Sequence, residues 1–86
     1  MAQKIVWSYE ATEDLIALTE YIAKDSIAYA TSFAQEILDE SHILNQFSKI
    51  GRIVPELNKA NIRELLIKNY RIIYSIEKTR IVILDC

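Results

Sequence analysis

The stretch "NIRELLIKNYRIIYSI", residues 61–76, decides how the rest of the chain is read. Its β-branched and aromatic residues favour strand, and Lys68 and Asn69 interrupt them as a turn, which predicts two antiparallel strands over 61–67 and 70–77. In the second strand the pleat puts Tyr70, Ile72, Tyr74 and Ile76 on one face and Arg71, Ile73, Ser75 and Glu77 on the other. The first face is expected to meet the core. In the first strand Arg63 shares a face with Leu65 and Ile67, and Ile62, Glu64 and Leu66 share the opposite one, so neither face is purely apolar and the register stays open. A third strand is expected over 80–86, after a turn at Lys78 and Thr79.

Upstream, "KIVWS" (4–8) reads as a short strand ending on Ser8, a helix N-cap. Ala11, Leu15, Leu18 and Ile22 then recur at spacings of 4, 3 and 4, the stripe of an amphipathic helix over 9–24. Glu10, Glu13 and Asp14 sit in its first turns, where the helix dipole favours negative charge. Asp25 and Ser26 break this helix and cap a second over 27–47, which carries Ala30, Phe33, Ile37, Leu44 and Phe47 and would be roughly 30 Å long. Gly51 and Pro55 mark 48–60 as a connector able to run extended. The expected fold is therefore α/β of the α+β kind, in the order β-α-α-β-β-β. The helical hairpin packs on one face of a small, mainly antiparallel sheet and leaves the other face partly polar.

Eighty-six residues predict a single domain, 1–86. An apolar fraction of 51% with one Gly and one Pro argues against disorder. No apolar run nears the roughly 18 residues that span a bilayer, and the N-terminus lacks a signal peptide's apolar region, so a cytoplasmic location without membrane attachment is expected. The lone Cys86 offers neither an internal disulfide nor a structural zinc site. The net charge of −2 hides an asymmetry: 1–48 hold two basic and eight acidic side chains, whereas 49–86 hold eight basic and four acidic ones. A basic surface for an acidic partner is one consequence, and an ordinarily solvated surface is the other.

Arg71 projects from the face opposite the core stripe, where the sheet can hold its fork of donors outward for phosphate or carboxylate. If Arg63 comes alongside it, the two form an oxyanion-binding pair. The alternative is that both pair with Glu56, Glu64 or Glu77. Glu56, after Pro55, is a candidate general base or an arginine partner. His42 stands without a second ligand or nucleophile and reads as a surface residue, and Trp7, Phe33, Tyr70 and Tyr74 read as core from their periodicity. There is no glycine-rich phosphate loop, no HExxH and no CxxC, so no metal or cofactor is expected.

Five segments in order, "WSYEATEDL" (7–15), "YIAKDSIAYATSF" (21–33), "GRIVPE" (51–56), "IREL" (62–65) and "YRIIYSI" (70–76), resemble the ParE/RelE superfamily of bacterial toxins over nearly the whole chain. The resemblance implies a plasmid-stabilisation toxin neutralised by a cognate antitoxin in a hetero-oligomer. In the ParE-like branch the target is DNA gyrase; in the RelE-like branch mRNA is cut in the ribosome. By that resemblance Arg71 matches the arginine of the Y-R motif, Arg63 approximates a second basic position, and Glu56 lies where some members place a base. The chain ends at "ILDC", where relatives continue with a short tail, which predicts poor nuclease activity and admits an attenuated toxin that only binds antitoxin. With the low pI of about 5.3 and the long hairpin, the ParE-like branch is favoured, with Arg52, Arg63 and Arg71 as the surface for antitoxin or target.

Overall fold

The computed structural model describes residues 3–85. Its elements are β1 (Lys4–Trp7), α1 (Tyr9–Ala23), α2 (Ile27–Ser41), a 3₁₀ turn (His42–Asn45), β2 (Arg52–Ile53), β3 (Ile62–Ile67), β4 (Tyr70–Ile76) and β5 (Arg80–Asp85). Cys86 lies outside the described residues.

Local chemistry places the helix boundaries. The Ser8 hydroxyl accepts from the Ala11 N–H at 3.1 Å and opens α1, and the Ser26 hydroxyl accepts from the Tyr29 N–H at 3.0 Å and opens α2. The second helix is shorter than its apolar periodicity predicts. It ends at Ser41, whose hydroxyl donates to the Leu38 carbonyl at 2.9 Å, and the chain tightens into a 3₁₀ turn. That tightening still buries Leu44 but turns Phe47 outward, 57% exposed. No arm of 30 Å is formed.

The sheet has the order β1-β5-β4-β3-β2, with β1 parallel to β5 and every other pair antiparallel. The connector expected over 48–60 contributes the short β2, which joins the sheet beside β3. The turn at Lys68 and Asn69 forms with φ of 49° and 73°, the left-handed pair that a two-residue hairpin requires. Ile72 and Tyr74 are buried as expected, with Tyr70 and Ile76 packed beside them. They meet Ala11 of α1, Phe33 and Ile37 of α2, Leu44, and Ile81 and Ile83 of β5. The Phe33 and Tyr70 rings lie 4.9 Å apart, tilted at 33°. Charge separates with the layers, because the acidic half of the chain makes the hairpin and β1 while the basic half makes β2 to β5. No helix among the described residues is long and apolar enough to cross a membrane.

Candidate functional site: two arginines on one buried carboxylate

The β3–β4 register settles which side chains meet. Arg63 pairs with Tyr74, Glu64 with Ile73 and Leu66 with Arg71, and directly opposed residues share a face. Arg71 therefore lies with Glu64 and Leu66 on the face away from the helices. Arg63 lies with Tyr74 on the helix-facing side. The expectation that the two guanidinium groups emerge side by side is thus corrected by the pairing itself. The two-residue turn closes Ile67 on Tyr70, and counting back from it places Arg63 opposite a core tyrosine.

Arg52 takes the place beside Arg71 that sequence reasoning had offered to Arg63. It stands opposite Glu64 in the β2–β3 pair. Its Nε donates to Glu64 Oε1, and Arg71 Nη1 donates to Glu64 Oε2 at 3.0 Å. The Glu64 side chain is 1% exposed, whereas those of Arg52 and Arg71 are 70% and 47% exposed. A carboxylate is thus covered by the two cations it serves. The Arg52 hydrogen bond holds the Glu64 carboxyl below the usual range; burial opposes this and the Arg71 hydrogen bond reinforces it. Two guanidinium charges against one carboxylate leave a surplus positive charge facing solvent, with donors to spare on each fork.

Arg63 has a different occupation. Its Nε donates to the Ala60 carbonyl at 3.1 Å, and its Nη1 to the carbonyls of Gly51 at 3.0 Å and Lys49 at 3.4 Å. The Tyr74 hydroxyl grips the same segment, accepting from the Gly51 N–H at 3.0 Å and donating to the Ser48 carbonyl at 2.7 Å. Burial pushes the Tyr74 phenol up, while the Gly51 hydrogen bond and the Arg63 charge act against it. Residues 48–51 are held by Arg63 and Tyr74 immediately before Arg52, so these two side chains determine where Arg52 begins its reach to Glu64.

Glu56 is exposed in the turn over 55–57, and His42 is exposed in the 3₁₀ turn. Arg80 pairs with Glu77 at 2.7 Å. The residue that sequence reasoning treated only as a possible partner, Glu64, is the hub. The available signal was its alternation with Ile62 and Leu66 on the face that carries Arg71. Among the described residues no group of three or more His, Cys, Asp or Glu side chains is placed to hold a metal.

Fold and site define a small α+β domain with one face shielded by a helical hairpin and an arginine-bearing face turned to solvent. The family model for the ParE toxin of type II toxin–antitoxin systems, parDE, matches residues 5–85, and the chain belongs to that toxin family. It is similar in fold to a solved structure described as the chromosomal ParDE TA system from P. aeruginosa. The TM-score is 0.79 and the identity 21%, over 98% of this chain and 92% of that one. No curated protein sequence matches it.

Proposed function

We propose that this toxin is held inactive by a cognate antitoxin protein, the two forming a plasmid-stabilising hetero-oligomer in the cytoplasm, and that it acts by binding a protein target, DNA gyrase. The observation carrying the reading is the Arg52–Glu64–Arg71 cluster. It presents excess positive charge on rigid strands, with its one carboxylate already neutralised, and so suits a carboxylate brought by another protein. Arg63 contributes to the same surface from behind, by holding the segment that carries Arg52.

The alternative, a ribosome-dependent endoribonuclease using Arg63 and Arg71 on phosphate and Glu56 as base, asks those groups to converge on one reacting centre. Their placement favours binding instead, because Arg63 and Arg71 occupy opposite faces and Glu64, the acid beside Arg71, is engaged by two cations.

Induced expression followed by gyrase supercoiling and mRNA integrity assays in parallel tests the target. Growth arrest with lost supercoiling and intact mRNA is expected; cut mRNA at arrest establishes the nuclease. No arrest despite tight antitoxin binding establishes an attenuated toxin. For the site, titration with the product of the adjoining reading frame is expected to show Arg71→Gln weakening binding by about tenfold or more at unchanged fold. Unaltered affinity removes the arginine face from the proposal.

A further inference from the structure

The segment just before β2 is gripped from the core side of the sheet. Arg63 and Tyr74 stand opposite each other in the β3–β4 pair, and their polar ends converge on residues 48–51. Between them they engage the Ser48, Lys49 and Gly51 carbonyls and the Gly51 N–H. The Ile50 N–H turns back onto the Phe47 carbonyl at 3.1 Å. Downstream, Val54 is buried and anchors the far end of β2. The side chains that the segment carries face solvent instead: Lys49, Ile50 and Arg52 are all exposed.

The sequence of this stretch does little to order it. Glycine loses more backbone freedom on folding than any other residue, and a two-residue edge strand supplies few ladder hydrogen bonds. Order comes from the clamp. The Tyr74 ring packs in the core, whereas its hydroxyl makes both of its hydrogen bonds to Ser48 and Gly51. Burial keeps that phenol protonated at neutral pH, so the donor to Ser48 persists. Arg52 follows Gly51 directly, and its bond to Glu64 starts from the position the clamp sets.

We propose that Tyr74 and Arg63 are positioning residues for partner binding: from the helix side of the sheet they order residues 48–51 in advance, so that Arg52 is already in place on the open side when the partner arrives. Their contribution is pre-organisation. Ordering the backbone of even one residue at the moment of binding lowers affinity about tenfold, and the clamp removes that loss beforehand. The inference rests on the reading above that Arg52 and Arg71 meet a partner's carboxylate. It adds two residues that serve this contact through the backbone, from the opposite face.

The test is amide hydrogen exchange and titration calorimetry on the full chain, with the product of the adjoining reading frame as the probe. Tyr74→Phe keeps the ring and removes both hydrogen bonds to the segment. Gly51 amide exchange is expected to quicken about tenfold, and affinity to fall about tenfold with the loss in the entropy of binding. A double-mutant cycle separates positioning from general loosening: in an Arg52→Gln background, Tyr74→Phe is expected to change affinity by less than about twofold. Arg63→Lys, which keeps the charge without the planar fork, carries the same cycle if Tyr74→Phe folds incompletely, and is expected to weaken binding only while Arg52 is present. Faster Gly51 exchange with unchanged affinity overturns the proposal and leaves the arginine-face reading standing. An equal loss in both backgrounds shows a general structural role and overturns it as well. Wild-type affinity in both Arg52→Gln and Arg71→Gln overturns the reading and the proposal together.

Discussion

Glu64 holds its charge in a place from which water is nearly absent, and it does so because two guanidinium groups replace the lost solvation. Removing the charge while keeping the shape tests this. Glu64→Gln is expected to lower the urea midpoint at neutral pH, since both arginines lose their ionic partner. The pH dependence has a definite sign. A carboxyl whose folded value is lowered contributes stability that is present above the ordinary glutamate range and lost as pH falls through the folded value. Wild-type protein is therefore expected to lose stability in acid below that range, and Glu64→Gln to lose less, as followed by thermal melts between pH 7 and pH of about 3. Gly51 is fixed by space. A Cβ there would press on the Glu64 carbonyl and lie 2.6 Å from the Tyr74 hydroxyl oxygen. Gly51→Ala is expected to cost about 1–3 kcal/mol in chemical denaturation, and Tyr74→Phe, which strands the Gly51 N–H and the Ser48 carbonyl, about the same.

Among the elements, the β3–β4 hairpin carries the most consequence, because its two-residue turn decides the faces of both arginines. Neither turn residue is glycine, although both have positive φ. Lys68 is retained at some conformational cost, and its ammonium lies 3.4 Å from Glu36 and 5.8 Å from the Tyr29 ring centroid, tying the turn to α2. Asn69→Val is expected to destabilise by about 1–2 kcal/mol, the left-handed cost of a β-branched residue, measured by urea unfolding. The beginning of α1 shows a different electrostatic pattern. The Asp14 carboxyl is raised above its usual range because in its protonated form it donates a hydrogen bond to Asp85, with desolvation and the charges of Asp85 and Glu10 adding to the effect. A raised folded value contributes stability at low pH that is lost as pH rises through it, the reverse of Glu64. Asp14→Asn is accordingly expected to raise the melting temperature at pH 7, with the gain vanishing in acid.

In the whole molecule, the hairpin shields one face of the sheet, and the second half of the chain sets the exposed guanidinium groups of Arg52 and Arg71 together on the other. Exposed charge of this kind is screened by salt. Partner binding is expected to weaken as ionic strength rises, and to do so less steeply in Arg71→Gln; a salt titration by calorimetry checks it. Arg63→Ala has a separate signature. It is expected to lower stability, because the Gly51 and Lys49 carbonyls lose their donor, while Arg63→Lys restores stability only in part, since an ammonium lacks the planar fork.

The helices, their serine caps, the strand faces around Tyr70 and Tyr74, and the type of fold were legible in the sequence. Each follows from side-chain period and local hydrogen bonding, which act over a few residues. The family was legible as well, through five ordered segments. Where the second helix stops, that β2 exists, and which arginines share a carboxylate were decided only by tertiary structure. Cross-strand partners are set by register, and register joins residues distant in sequence: Arg52 meets Glu64 twelve positions on, and Tyr74 reaches back to Gly51 and Ser48. A shift of one residue in that pairing moves a side chain to the other face, so composition could name the arginines but only the assembled sheet could say which two stand together.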